Sequence, residues 1–377
     1  MKKTGILTFH YSNNYGGVLQ SYALYNFVKS INENTEIINF VPSTHNRFLQ
    51  SIYVLRDSLR LANDTSISVV RAMQLKKRYG RTISLRFERF RAKYLSMSVK
   101  VDEAKITGIL PSLGLIVVGS DQIWNPSQRD KPEYFLGFDE FKGKKVSYAA
   151  DSTTAEVSEE HLDKLKRELG DFDSISVRNE HSQKFVETVI GEKVPIVADP
   201  TLLWDFNELG QGFMSDSEPY ILVYVLGKDI NGSNEKAIEK IKRVYGDLRV
   251  YAVVIPTMKF NICDYADKVF YDLGPEEWLD MIRNATFVYT DSFHGTLFSL
   301  KFHKPFLAYY AEEMRATRFI DLGKRYEIER YIVNSVDEID TKGSLLQTPD
   351  FAAIDQIIEE HRAFSIRFLE EALGIDG

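Results

Sequence analysis

Short apolar runs alternate with helical patterns along almost the whole chain, and this limits its folds to a few. Residues 5–9, 113–119, 145–150, 174–178 and 194–198 read as strands. They are too short for helices, and several are nearly continuous in apolar side chains. After the first run, Val18, Leu19, Tyr22, Leu24, Tyr25 and Val28 recur at the spacing of a partly buried helix. Strands that are apolar on both faces and separated by helices pack as a parallel sheet with helices on both sides. The pattern lapses in "DFNELGQGFMSDSEP" and then restarts. Residues 221–226, 249–255, 286–290 and 305–310 are the new strands, with helices over 234–245, from Pro275 onward and over 293–302. A final helix over 351–373 carries Ile354, Ile357, Ile358, Phe364, Phe368 and Leu369 as an apolar stripe.

The expected fold class is therefore α/β, with two Rossmann-type doubly wound domains facing a cleft. Residues 1–205 form the first domain, with a basic helical insertion at about 45–95; residues 215–345 form the second, and 350–375 the closing helix. A chain of 377 residues also exceeds the size at which one core stops growing. A single cysteine, Cys263, excludes a disulfide framework or a cysteine-rich metal site. No metal-ligand spacing appears. Asp121 follows no glycine loop ending in Lys-Ser or Lys-Thr, which argues against a nucleoside triphosphatase. The first apolar stretch is too short for a signal peptide and no run is long enough to span a membrane, so a cytoplasmic protein is expected. The net charge of −7 is uneven: residues 47–93 carry +9 and the rest −16. A basic amphipathic segment of this kind suits either an anionic membrane surface, as a peripheral contact, or a helical insertion with a solvated face. No nucleic-acid-binding motif accompanies the charge.

Four turns at strand ends carry polar residues that a plain scaffold does not require. In the first, Asn13, Asn14, Gly16 and Gly17 lie between a strand and a helix, where ligands of open α/β sheets bind. Glycines there admit a ligand or another backbone closely, or simply make the turn. Ser120 and Asp121 follow the strand at 113–119. Arg178 ends the strand at 174–178, where its planar fork suits a carboxylate or phosphate, or else an interdomain ion pair. In "TDSFHGTLFSL", Ser292 caps a helix, His294 sits in its first turn, and Gly295 and Thr296 follow. A bound anion there favours a protonated histidine, which suits a general acid; the alternative is a histidine bonded within its own turn. Arg315 and Arg318, spaced three apart, share one side of any helix that forms there.

With these turns in view, the chain resembles the polysaccharide pyruvyl transferase family. The matching pieces are "NNYGGVLQSYAL", "VVGSDQIWNP", "SVRNEHS", "VADPTLLW", "GPEEWL" and "TDSFHGTLFSLKFHKPF", in order over residues 5 to about 310. The resemblance implies a GT-B-like fold whose last helix returns to the first domain. It implies transfer of pyruvate from phosphoenolpyruvate, a co-substrate, onto two hydroxyls of a glycan sugar as a cyclic ketal, with no further cofactor and no metal. The acceptor is a cell-surface polysaccharide or its precursor, free or linked to a lipid pyrophosphate. Arg178 and His294 fall on the family's positions for phosphoenolpyruvate binding and catalysis. The family's later basic residue, often a lysine in an Asp-Pro-Lys setting, lacks that setting here; Arg315 stands in its place, with Arg318 behind it. "YAADST" also departs from the family's more usual ending in serine. Asn13, Asn14, Gly16 and Gly17 are then expected on the acceptor side, with Ser120, Asp121, Ser292, Gly295 and Thr296 contributing to substrate binding. Competing readings are a GT-B glycosyltransferase using a nucleotide sugar, with Glu312 or Glu313 on its ribose, and an inactive glycan-binding module.

Overall fold

Lys3–Leu7 (β1) is buried from its second residue on, with no polar alternation, as befits an interior strand of a covered parallel sheet. The computed structural model describes residues 3–43, 69–210, 212–214, 218–258 and 260–374. After β1, the first half of the chain gives α1 (Tyr15–Ile31), β2 (Thr35–Ile37), α2 (Val69–Tyr94), β3 (Leu113–Asp121), β4 (Lys144–Ala150), α3 (Glu159–Gly170), β5 (Ser174–Val177), α4 (Glu180–Ile190) and α5 (Pro200–Leu203). The second half gives β6 (Tyr220–Tyr224), α6 (Asn234–Tyr245), β7 (Arg249–Val253), β8 (Lys268–Phe270), α7 (Pro275–Asn284), β9 (Phe287–Thr290), α8 (Phe293–Lys301), β10 (Phe306–Tyr309), α9 (Glu313–Arg325), β11 (Ile332–Val333), α10 (Val336–Thr341) and α11 (Phe351–Leu373).

The strands form two sheets, ordered β2-β1-β3-β4-β5 and β11-β10-β9-β6-β7-β8. Every pairing is parallel. Parallel strands end on the same side, so each sheet presents one row of turns at its carboxyl edge. Residues on these two rows touch one another, and the cleft lies there.

Three features join the halves. The largest apolar cluster is shared between them, with the Tyr15 ring stacked on Trp278 at 5.1 Å and its hydroxyl donating to the Leu273 carbonyl at 2.9 Å. Helix α2 bridges to the second domain: Arg71 pairs with Asp264, Arg86 with Glu277, Lys93 with Glu276, and Tyr79 stacks on Tyr271. Helix α11 returns to the first half, where the Ser365 hydroxyl oxygen accepts from the Ala198 N–H at 2.8 Å. No helix among the described residues is long and apolar enough to cross a membrane.

Several local expectations change. Residues 194–198 make only an isolated bridge, Ile196 to Val177, because Pro195 has no N–H to give to a ladder. The polar residues after Arg178 start a helix rather than an open turn. Asn179 accepts from the Ser182 N–H, and Gly191 closes α4 in the left-handed conformation. Phe364, assigned to the apolar stripe of α11, is 42% exposed, whereas Ile354 and Leu369 are buried. In the described part of the basic stretch, three charges pair with acids of the second domain, while others remain exposed. Its residues 47–68 lie outside the described residues.

Glu168, near the end of α3, packs against Gly137, and its Oε2 is buried without a hydrogen bond. Burial pushes this carboxyl from 4.5 up to about 7. The folded chain therefore holds the proton more tightly than the unfolded one. That contribution is full below the unfolded value and is lost as pH rises towards about 7. Glu168→Gln should flatten the decline of Tm over this window; parallel Tm–pH curves for variant and wild type would contradict it.

Candidate active site

Sheet order builds the first part of the site. Strands β3, β4 and β5 are neighbours, so the residues at their carboxyl ends converge. Asp121 ends β3, Asp151 follows β4, Arg178 follows β5, and Asp199 caps α5. The Arg178 guanidinium donates to Asp151 Oδ2 at 2.6 Å, to Asp199 Oδ2 at 3.0 Å and to Asp121 Oδ1 at 3.4 Å. Its side chain is only 3% exposed. Burial alone would make so enclosed a guanidinium easier to deprotonate. The three carboxylates outweigh it and raise the group's proton affinity above the usual arginine range. Burial likewise works against the ionised form of Asp151, but Arg178 and Arg318 hold its carboxyl below the ordinary value. Asp199 is depressed further: burial opposes, and His294 and Arg178 prevail.

The second domain supplies the other wall. Strand β9 ends at Thr290, and Ser292 caps α8 by accepting from the Gly295 N–H at 3.2 Å. This puts His294 in the first turn, buried at 8% exposure. One edge of its ring lies against Gly16, where a methyl group would overlap the imidazole. Its Nε2 lies 3.6 Å from Asp199 Oδ2. Beside it, the Phe293 ring sits 4.6 Å from the Arg178 guanidinium, a cation–π contact across the domains. Gly295 is needed locally, since a Cβ there would crowd Thr290 Oγ1, and the Thr296 hydroxyl donates to the Ser292 carbonyl at 3.1 Å.

Helix α9 brings two more cations. Arg315 Nη1 donates to Asp291 Oδ2 at 2.6 Å, a pair packed against Gly227. Burial raises the Asp291 carboxyl's pKa despite this partner. Arg318 differs. Among the described residues it has no ion-pair partner, and its Nε is buried without a hydrogen bond. Burial pushes its guanidinium down, and the fields of Arg178 and Arg315 add to this while Asp151 and Asp121 oppose it.

In the first turn the Asn14 side chain caps α1 by accepting from the Gly17 N–H at 3.1 Å. Asn13 donates to Ser84 on α2 at 2.9 Å. The Gly17 carbonyl accepts from Gln20 and Ser21, and the buried Ser120 hydroxyl donates to the Ala149 carbonyl. The structure thus brings together Gly16, Asp121, Arg178 and His294, with Arg318 in electrostatic reach of the arginine. Asn14, Gly17, Ser120, Ser292 and Thr296 shape the turns around them.

Asp151, Asp199, Gly227 and Phe293 have no role in the sequence reading. Asp151 and Asp199 stand in quoted motifs just after strands, which was the available signal. Their convergence on Arg178 depends on strand order.

Solved structures similar to this chain share its two-sheet layout. UDP-GlcNAc 2-epimerase from Methanocaldococcus jannaschii, in complex with UDP-GlcNAc and UDP, matches with a TM-score of 0.51 at 13% identity, over 96% of this chain and 99% of that one. The Anabaena protein HepE, in complex with UDP and glucose, matches with 0.52 at 10% identity, over 100% and 98%. UDP-GlcNAc 2-epimerase from Neisseria meningitidis, bound to UDP-GlcNAc, matches with 0.52 at 9% identity, over 99% of each chain. At such identities these likenesses establish a GT-B-type fold. No curated protein sequence matches significantly. The sequence family that does match, polysaccharide pyruvyl transferase, covers residues 14–312. That span runs from the cap of α1 to the cap of α9 and contains Arg178, Asp199, His294 and the strand ends that join them. By that match the chain belongs to the polysaccharide pyruvyl transferase family.

Proposed function

We propose that the protein transfers pyruvate from phosphoenolpyruvate onto two hydroxyls of a glycan sugar, forming a cyclic ketal during cell-surface polysaccharide biosynthesis. The observation that carries this reading is a first-turn histidine, His294, on one side of the Arg178 cluster and a buried cation without an ion-pair partner among the described residues, Arg318, in the field of the same cluster, in a chain of this family. Phosphoenolpyruvate is a small dianion or trianion whose methylene carbon must accept a proton before a hydroxyl adds. In the reaction, the carbon–carbon π pair takes a proton from His294 and the neighbouring carbon becomes cationic. A sugar hydroxyl bonds to that carbon and loses its proton. Phosphate departs with its bonding pair, and a second hydroxyl closes the ring. Arg318 and Arg315 are assigned to the carboxylate and phosphate, with the N–H groups at the start of α8 as further donors. Arg178 is committed to three aspartates, so its assigned part is to fix the wall on which the donor rests. Asn13 is assigned to the acceptor side; Gly16, expected there too, instead receives the His294 imidazole.

The reading is tested by incubating the protein with phosphoenolpyruvate or a panel of nucleotide sugars plus candidate acceptors and measuring released phosphate or nucleotide. Phosphate release dependent on acceptor is expected; sugar transfer from a nucleotide donor would replace the reading with a glycosyltransferase. His294→Ala should cut turnover about a hundredfold or more, the scale of a lost acid–base group, with the fold intact by circular dichroism.

Arg318→Gln gives a second test. Among the described residues no hydrogen bond or ion pair is lost in the unliganded protein, so Tm should hold or rise. The KM for phosphoenolpyruvate should rise about tenfold or more, as for a lost charge-assisted hydrogen bond of about 1.5 kcal/mol. An unchanged KM would take Arg318 out of donor binding.

The described part of the basic segment supports a peripheral membrane contact as well. Arg71, Arg86 and Lys93 are paired, but Lys77, Arg78, Arg81 and Arg89 are exposed on α2 beside Met73 and Leu85. Such a face attracts anionic headgroups by about 1 kcal/mol per basic residue near the surface, and salt weakens it. Sedimentation should show binding to anionic but not neutral vesicles at low salt. Changing Lys76, Lys77, Arg78 and Arg81 to glutamine should abolish it. Equal, negligible pelleting throughout would assign the acceptor to a soluble glycan.

A further inference from the structure

The approach of His294 to Asp199 has no place in the scheme above. Asp199 is 3% exposed and held on three sides. Its Oδ1 accepts from the Thr201 N–H at 3.0 Å and from the Thr201 hydroxyl at 2.8 Å, and its Oδ2 accepts from Arg178 at 3.0 Å. The donor left beside Oδ2 is His294 Nε2, at 3.6 Å. That nitrogen is buried and makes no hydrogen bond within normal range. A separation of this size is typical of acid–base pairs in unliganded sites, where the bond tightens once substrate is bound. The opposite edge of the ring, with Nδ1, lies beside Gly16, whose missing side chain leaves that nitrogen room to deliver a proton while limiting how far the imidazole can turn.

We propose that Asp199 is a positioning residue, whose carboxylate keeps a proton on His294 Nε2 and holds the ring in its working orientation across the domain interface. The carboxylate belongs to the first domain and the imidazole to the second, so the compensating charge is present only while the domains are docked. Acid catalysis by His294 then depends on the docking of the two domains. Other charged groups on the adjoining turns do not compete for this place: Arg178 is spent on Asp121, Asp151 and Asp199, and Asp291 on Arg315 and the Leu226 N–H. Helix α1 places Gly16, which carries no charge, against the ring. The depressed carboxyl of Asp199 agrees with a standing negative charge there. In the reaction proposed above, on which the kinetic part of this inference rests, Asp199 makes and breaks no covalent bond. It stabilises the imidazolium before the proton moves to the methylene carbon and again when the ring takes the proton of the attacking hydroxyl.

The test has an arm that needs no substrate. Nitrogen NMR of the His294 ring in the unliganded protein should show the neutral ring protonated on Nε2. In Asp199→Asn the protonated ring should give way at lower pH than in wild type. Asp151→Asn removes a carboxylate from the same arginine without touching the imidazole, and should leave the ring signals as in wild type. A wild-type ring protonated on Nδ1 would overturn the proposal, whether or not the Asp199 variant folds. So would an Asp199→Asn ring with an unchanged pH response. In the kinetic arm, Asp199→Asn should lower kcat about tenfold or more, leave the KM for phosphoenolpyruvate within a few-fold, and move the alkaline limb of turnover to lower pH. If the ring responds as expected but no acceptor yields phosphate from phosphoenolpyruvate, the contact stands and the proposed reaction falls.

Discussion

An arginine side chain that is only 3% exposed governs this molecule. Removing a guanidinium from water costs several kcal/mol, and an unpaired one would not stay buried. Here the cost is offset by Asp121, Asp151 and Asp199, each delivered by a different strand end or cap. The arrangement works only if β3, β4 and β5 lie side by side in parallel and stop at the same level. The ion cluster therefore reports on the register of the whole first sheet. It also fixes the Asp199 carboxylate, and through it the distance between the two domains at His294. With three carboxylates on one guanidinium the cluster is acidic overall, and losing the arginine would leave three acids facing one another.

The domain interface adds a second layer of constraint. It combines an apolar centre around Tyr15, Phe87 and Trp278 with an outer band of ion pairs made by α2. The apolar centre is insensitive to salt, whereas the pairs at Arg71 and Lys93 are exposed and individually weak. Their contribution is direction more than strength: they set α2 along the second domain, and α2 in turn holds Asn13 through Ser84.

Much of this architecture could be read before any coordinates, and for clear reasons. Strands such as β3 and β6 are short, almost wholly apolar and bounded by polar turns, so period and length agree. The cap of α8 by Ser292, and of α1 by Asn14, follows from local chemistry between residues three apart. The helix beginning at Pro275 follows from its proline and two glutamates. The failures share one cause. Residues 194–198 look like a strand by composition, but Pro195 lacks the donor that a ladder requires. Asp151 and Asp199 look like ordinary turn residues until the sheet order is known. Arg178 reads as a free anion receptor or an interdomain pair, and neither reading anticipates three partners from its own domain. Local sequence carries capping and period; it does not carry which strand end lies beside which.

Gly16 shows what that distinction means for how the two halves fit. A side chain is missing from one domain at the spot where the other domain seats an imidazole, so the cavity and the knob that fills it lie 278 positions apart in the chain. Neither half can drift at this point without the other. A chimera that joined this first domain to a second domain from a relative with a larger residue at the histidine position would be forced apart at the cleft, however well each half folded. The reciprocal exchange, with any side chain in place of the glycine, would meet the same obstacle. The two halves thus meet as a matched pair, and an exchange of either one keeps the fit only if it brings a residue that suits the other end of that contact.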